Sequence, residues 1–251
     1  MKFKIVDKNK FIFALLTIIL LLIITIIIII NLNKKEKNNN EENEINDLKQ
    51  NAIEVSTNIE IKKKEIKDWR LVLVNIDNAL PENFTVELED LDEYRQFDKR
   101  AIKQLKNMIE AERKAGASSM WVQSAYRSVE KQTKVFNDQM QEYINHGKTK
   151  KEAEELTLKL INKPGTSEHN LGLAVDFNYA SYDFENTTAF KWLVENAEDY
   201  GFILRYPKDK VEITKVNYEP WHWRYVGVEH AKEINKKGYC LEEYIEYLQN
   251  N

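Results

Sequence analysis

The chain has 251 residues, and its 37 Lys and Arg against 41 Asp and Glu give a net charge of -4. No basic block with interleaved aromatics stands out, which argues against nucleic-acid binding. The single cysteine excludes an intrachain disulfide and a Cys-based zinc cluster, so a metal site would have to draw on the four histidines and on carboxylates.

The N-terminus carries the strongest local signal. Four lysines in residues 1–10 precede an uncharged apolar run, Phe11–Ile30, which contains no Pro or Gly. The run is about as long as the ~20 residues that cross a bilayer core, and it lacks the polar face of a soluble helix. We predict a single-pass signal anchor over residues 11–32, with residues 1–10 in the cytoplasm and the remaining chain outside. The alternative is a cleaved signal peptide, whose apolar region is usually shorter.

The next segment, residues 33–64, is polar and highly charged and is predicted to be a solvated stalk. We expect the folded, extracytoplasmic domain to occupy residues 65–251. Near its start, the stretch WRLVLVN from Trp69 has the composition of a strand.

Helix and strand patterns alternate irregularly along this domain. The predicted elements are a helix from Asp98, as its cap, to Gly116; a strand Met120–Tyr126; a helix from Ser128 to Gly147; a helix capped by Thr149 and Glu152; a strand in GLAVDFN; a helix from Thr187 to Gly201; a strand in HWRYVG; and two short helices, Glu229–Lys236 and Leu241–Leu248. Because no regular βαβ repeat is present, the order predicts an α+β fold with a small, largely antiparallel central sheet and packed helices.

The stretch GTSEHNLGLAVDFN places an acid inside a strand pattern. Side chains alternate along a strand, so Asp176 shares a face with the small Ala174, opposite the apolar positions. His169 precedes the strand in a predicted loop, where Gly172 permits a tight turn. This arrangement can bring His169 back beside Asp176.

The stretch YEPWHWRYVG supplies a second histidine and a second acid. His222 lies in a predicted strand, and Glu219 lies on the segment that enters it. Pro220 prevents a helix there, which leaves Glu219 free to approach the same site as His222. Two imidazoles and a carboxylate can hold Zn²⁺ with a position left for water, and a further Glu can act as the base. The sequence therefore indicates a zinc hydrolase without the helical H-E-x-x-H arrangement.

Three motifs resemble one known family. SEHNLGLAVDF fits S-x-H-x-x-G-x-A-x-D, EPWHWRYVG fits E-x-W-H-x-R-Y-V-G, and SAYRSVEKQ contains Y-R-S with a Gln five residues after the Arg. From Trp69 to Leu248 the chain resembles VanY-type D-alanyl-D-alanine carboxypeptidases and their L,D-carboxypeptidase relatives, within the superfamily that includes lysostaphin-like enzymes and hedgehog domains. One departure is Lys215, which stands where relatives often have Gly.

The resemblance implies roles for eight residues. These are zinc ligation by His169, Asp176 and His222; general-base catalysis by Glu219; oxyanion stabilisation by Arg127; and substrate contact by Tyr126, Gln132 and Ser167.

Together these features predict a zinc-dependent carboxypeptidase that removes the C-terminal D-alanine from peptidoglycan stem peptides outside the cell membrane and holds one Zn²⁺ per domain. An L,D-carboxypeptidase acting on tetrapeptide stems and a peptidoglycan endopeptidase are alternatives within the class. An inactive peptidoglycan-binding module is the alternative outside it, although such a module would not need Glu219.

Overall fold

The computed structural model describes residues 17–25, 64–117 and 120–251. The chain divides into two units, Met1–Lys62 and Lys63–Asn251.

In the first unit, residues 17–25 form a helix whose residues are all exposed. Within the described ranges, no helix combines the length and the apolar character needed to span a membrane. The rest of the predicted anchor 11–32 lies outside the described residues, as do the predicted cytoplasmic residues 1–10 and stalk residues 33–63.

The second unit contains a two-stranded and a four-stranded antiparallel sheet. The strands are β1 (Leu88–Asp90), β2 (Gln96–Asp98), β3 (Val122–Ser124), β4 (Ala174–Phe177), β5 (Phe202–Leu204) and β6 (His222–Tyr225). β1 pairs with β2, and the larger sheet has the order β3-β4-β6-β5. The small antiparallel sheet predicted from the sequence is confirmed, whereas the β1–β2 hairpin and β5 were not predicted.

Eight α-helices are described in this unit. They are α1 (Ile102–Lys114), α2 (Val129–Asn145), α3 (Lys150–Leu158), α4 (Glu168–Leu171), α5 (Thr188–Asn196), α6 (Val211–Thr214), α7 (Val228–Lys237) and α8 (Leu241–Asn250). Together with the antiparallel sheets, they make the fold α+β, as predicted.

Local capping chemistry explains where two of the helices begin. The side chain of Ser128 accepts a hydrogen bond from the backbone N–H of Lys131 and starts α2. Thr149 and Glu152 cap α3 reciprocally, because each side chain accepts a hydrogen bond from the other residue's backbone N–H. Both starts agree with the sequence prediction.

Two predictions near the start of the domain are wrong. The strand expected from Trp69 is a 3-10 helix, Trp69–Leu71, because the Asp68 carboxylate accepts a hydrogen bond from the backbone N–H of Arg70 and turns the chain. Asp98 does not cap α1. It is the last residue of β2, and its carboxylate accepts hydrogen bonds from the backbone and the side chain of Arg100.

One face of the four-stranded sheet lies against the main hydrophobic core. Val175 and Phe177 of β4 and Trp223 of β6 are buried there, together with Leu105 of α1 and Leu193 of α5. Since side chains alternate along a strand, the neighbouring residues of β4 and β6 project from the opposite face. That opposite face carries the polar side chains described next.

Candidate active site

The pairing of β4 with β6 brings two predicted ligands together. Asp176 is the direct cross-strand partner of His222, and on its other side Asp176 pairs with Ser124 of β3. Directly opposed residues project from the same face, so the sheet register alone places the carboxylate beside the imidazole. Nδ1 of His222 lies 3.0 Å from Oδ1 of Asp176.

His169 approaches from α4, a single helical turn where the sequence predicted a loop. Ser167 caps this turn by accepting a hydrogen bond from the His169 backbone N–H, and Gly172 ends it in the left-handed conformation, with a φ of 80°. Nε2 of His169 then lies 3.0 Å from Oδ2 of Asp176. On the other side of the ring, Nδ1 is 2.7 Å from the carbonyl oxygen of Ala125. A proton on Nδ1 satisfies that carbonyl and leaves the Nε2 lone pair facing Asp176.

The three side chains fit a metal ion. His169, Asp176 and His222 are all buried and offer one ligand atom each, and these atoms lie within 4.8 Å of one another. Oδ1 of Asp176 is buried and has no hydrogen-bond partner among the described residues. Two imidazoles and one carboxylate are a donor set of catalytic zinc sites, in which the protein supplies three ligands.

The surroundings favour ligand-competent protonation states for two members of this set. Burial lowers the pKa of His169, despite the opposing charge of Asp176. Burial acts to raise the pKa of Asp176, but the two histidines hold it well below its usual range. For His222, burial acts to lower the pKa but is outweighed by the neighbouring carboxylates of Asp176 and Glu168, which raise it to about 9. Zinc must therefore compete with a proton at His222.

Glu219 lies beside this group, on the segment that enters β6. Its Oε2 is 3.7 Å from Nδ1 of His222, and its backbone N–H donates to the carbonyl of Tyr206. Burial, reinforced by the negative charges of Asp176 and Glu168, raises the pKa of Glu219 to about 8. A carboxyl group with a pKa close to neutrality can both accept and return a proton.

Arg127 is fixed by neighbours on one side of the site. Its Nη1 donates to Oε1 of Gln132 at 2.7 Å and its Nη2 to Oγ of Ser124 at 2.9 Å. Nη2 also lies 3.8 Å from Oδ2 of Asp176. Gln132 in turn donates to the backbone carbonyl of Asn162 at 2.6 Å, so both ends of its amide bind protein. Gln132 therefore orients the guanidinium, a contact that the sequence did not reveal.

A cavity of about 430 Å³ opens over these side chains. Seven of the eight predicted site residues line it: Arg127, Gln132, Ser167, His169, Asp176, Glu219 and His222. The eighth, Tyr126, is half-buried and is not among the described residues that line the cavity. The geometry thus gives no support to the predicted substrate contact by Tyr126.

Sequence reasoning missed the aromatic wall of the cavity, to which Tyr182, Tyr206 and Trp221 contribute. Trp221 carried a sequence signal, because it stands between Glu219 and His222. Tyr182 lies in an unpredicted 3-10 helix, Tyr182–Asn186, and no local pattern marked it.

Comparison with known proteins shows that this chain matches one protein family. The VanY family, described as D-alanyl-D-alanine carboxypeptidase, matches residues 94–228. A D-alanyl-D-alanine carboxypeptidase of Enterococcus faecalis is 42% identical over 179 residues, which cover 71% of this chain and 66% of that protein, just under two thirds of its length.

Two solved structures are similar in both sequence and fold. A zinc-bound variant of VanY, a vancomycin-resistance D,D-pentapeptidase from a VanB-type cassette, is 43% identical with a TM-score of 0.65, over 70% of this chain and 99% of that one. The LD-carboxypeptidase LdcB is 34% identical with a TM-score of 0.60, over 73% of this chain and 92% of that one. The match to most of this domain, together with the shared architecture, shows that the chain belongs to the VanY D-alanyl-D-alanine carboxypeptidase family.

Proposed function

We propose that the protein is a zinc-dependent carboxypeptidase that removes the C-terminal D-alanine from peptidoglycan stem peptides. One observation carries the proposal: His169, Asp176 and His222 converge in a cavity that also contains the buried carboxylate of Glu219. Family membership and the activity named for the Enterococcus faecalis relative support the substrate class.

His169, Asp176 and His222 would hold the zinc ion. When bound, zinc supplies a Lewis acid that lowers the pKa of water and polarises a carbonyl group. Glu219 accepts the proton that the attacking water loses and delivers it to the amine nitrogen as the peptide C–N bond breaks. The products are the shortened stem peptide, with a new carboxylate, and free alanine.

Arg127 has the position and the charge to stabilise the transition state. Negative charge develops on the oxygen of the attacked carbonyl, and a donor fixed in advance stabilises it without reorganisation. Ser124 and Gln132 hold the two Nη atoms of Arg127 before any substrate arrives.

A second candidate activity is the removal of the terminal residue from tetrapeptide stems. The similarity to the LD-carboxypeptidase LdcB, at 34% identity over most of both chains, favours it. Both activities would use the same zinc ligands and base, so the walls of the cavity must decide between them.

Product analysis tests the proposal. We would incubate the zinc-loaded full chain in detergent with penta- and tetrapeptide stems and identify the products by mass. Loss of one alanine from the pentapeptide is the expected result, and loss only from the tetrapeptide would establish the second candidate. Cleavage of an internal bond would indicate an endopeptidase. Zinc binding with no cleavage of either peptide would contradict the enzyme assignment and favour a binding module.

We further propose that the protein is anchored in the cell membrane with its catalytic domain outside. The support is the uncharged run Phe11–Ile30 behind four lysines, together with a substrate class that lies outside that membrane. Protease added to intact cells should digest the domain, and the mature protein should keep its N-terminal residues. Recovery of a form cut near Asn31 would show a cleaved signal peptide instead.

A further inference from the structure

Glu168 lies directly behind the metal-binding group and is fully buried. Its Oε1 accepts hydrogen bonds from Nε of Arg205 at 2.7 Å and from Nη1 of Arg224 at 2.6 Å. Both guanidinium groups form buried ion pairs with this carboxylate, so Glu168 is held in a fixed position inside the protein.

The other oxygen of Glu168 faces a zinc ligand. Oε2 lies 3.5 Å from Nε2 of His222, and both atoms are buried without a hydrogen-bond partner among the described residues. Leaving either atom unpaired inside the protein costs free energy. A hydrogen bond from Nε2–H of His222 to Oε2 of Glu168 would satisfy both. An approach of roughly 0.5 Å would give an ordinary N–H···O hydrogen bond.

A proton on Nε2 of His222 leaves Nδ1 as the ring nitrogen that is free to bind a metal ion. With Nε2 protonated, Nδ1 carries the lone pair, and Nδ1 is the nitrogen that lies 3.0 Å from Oδ1 of Asp176 in the metal-binding group. Hydrogen bonds from the outer nitrogen of a ligand histidine fix its tautomer and its ring orientation. The carbonyl of Ala125 makes the corresponding contact to His169.

We propose that Glu168 is a positioning residue, which accepts a hydrogen bond from Nε2–H of His222 and so directs Nδ1 of His222 at the zinc ion. The role rests on the zinc site proposed above. Glu168 is not among the described residues that line the cavity, so it has no access to substrate and cannot replace Glu219 as the base.

The two arginines are themselves held from outside the site, which keeps Glu168 in place. Arg205 also donates to both carboxylate oxygens of Glu242 on α8, at 2.9 and 2.6 Å. Arg224 donates to the backbone carbonyls of Arg70 and Val72, each at 2.9 Å. The outer carboxylate, Glu242, shares Arg205 with Glu168 but reaches no zinc ligand, which makes it a matched control.

The test shortens each carboxylate by one methylene in the full chain in detergent. Glu168→Asp keeps the charge beside both arginines but withdraws the carboxylate from His222. We expect its zinc dissociation constant, measured by competition with a chromogenic chelator, to rise about 10–100-fold. Glu242→Asp makes the same chemical change on the same arginine and should stay within about threefold of the unaltered protein. Equal affinities in the two variants would overturn the positioning role.

Nuclear magnetic resonance of the unaltered zinc-loaded protein gives a second readout that needs no variant to fold. We expect the His222 Nε2 proton to be visible, hydrogen-bonded and slow to exchange with water, while Nδ1 shows the ¹⁵N shift of a zinc-bound nitrogen. A proton on Nδ1 with Nε2 bound to zinc would refute the proposal. Failure of the unaltered protein to bind zinc would refute the zinc site itself, which distinguishes the two failures.

Discussion

Glu219 and His222 lie three residues apart but have different predicted roles. His222 is a proposed zinc ligand, whereas Glu219 has a raised pKa, near 8, that suits proton transfer. We therefore expect Glu219→Gln to keep the shape of the site and its zinc while the rate falls by about 10²–10⁴-fold, the usual contribution of a general base. His222→Ala should lose the zinc. Zinc content by atomic absorption and turnover of a stem peptide measure the two effects.

The exposed residue Glu212 on α6 provides the control for this pair. Glu212→Gln makes the same chemical change outside the cavity and should leave zinc content and rate unaltered. If Glu219→Gln instead strips the zinc, Glu219 is a ligand. If it keeps both zinc and full activity, Glu219 is not the base.

The end of α6 places Lys215, the departure from the resembled motif, in a backbone conformation that favours glycine. Lys215 has a φ of 61°, in the left-handed region, and its backbone N–H donates to the carbonyl of Val211 to close the helix. This conformation costs a residue with a Cβ about 1–2 kcal/mol, whereas glycine adopts it freely but gains about 0.5–1 kcal/mol of unfolded-state entropy. Lys215→Gly should therefore raise the free energy of unfolding by about 0.5–1 kcal/mol in urea titrations.

Lys215→Ala is the control, since it removes the same side chain but retains a Cβ. It should not gain this stability. An equal gain in Lys215→Ala would show that the lysine side chain, and not the backbone conformation, is the source of the cost.

Gly201 is the point where a 3-10 helix, Ala197–Tyr200, passes into β5. Its φ is 82°, and a Cβ there would lie 2.9 Å from the backbone of Gly227 and from the ring of Tyr225. Backbone cannot yield as a flexible side chain can, so Gly201→Ala should displace β5 from β6, the strand that carries His222. The left-handed conformation alone should lower the free energy of unfolding of Gly201→Ala by about 1–2 kcal/mol. We expect the total loss to be larger because of the steric clash.

The matched control for Gly201 is Gly238, which follows α7. It has a φ of 65°, and a Cβ there would meet nothing within 4 Å among the residues that the structure describes. Gly238→Ala should therefore show the conformational cost without the steric one. Equal losses in the two variants, measured by urea unfolding, would mean that the β5–β6 junction accommodates the methyl group.

Across the whole domain, the proposed site links stability to pH when zinc is absent. Glu219 has a folded pKa of about 8, above its unfolded value of about 4.5, and His222 has a folded pKa of about 9, above about 6.5. Between about pH 7 and 8 the folded protein thus binds more protons than the unfolded chain at both groups. Stability must then fall as the pH rises, by about 2 kcal/mol per pH unit. The lowered pKa values of Asp176 and His169 act in the opposite direction, mainly below about pH 7.

Thermal unfolding of chelator-treated protein at pH 6.5, 7.5 and 8.5 measures this slope. Glu219→Gln removes one of the two groups and should reduce the slope. Zinc should stabilise the protein more at the higher pH, since His222 must lose its proton to bind the metal. A melting temperature of the metal-free protein that rises between pH 7 and 8 would contradict the assigned pKa shifts.

The sequence alone determined the structural features that depend on residues close together in the chain. The reciprocal cap of Thr149 and Glu152 needs residues three apart, and strand alternation needs residues two apart, so both could be read directly. The sequence motifs around His169, Asp176 and His222 were sufficient to predict these residues as zinc ligands without knowledge of the fold. The departure at Lys215 was also visible, although its left-handed backbone was not.

Only the tertiary structure decided how distant segments complete the site. The partners of Glu168 come from β6 and from the segment after β5, and Glu242 comes from α8, so no local periodicity could have placed them together. The sheet register decided that Asp176 opposes His222. Cross-strand pairing and burial depend on contacts between residues far apart in sequence, and those contacts turn a set of motifs into one site with defined distances and charges.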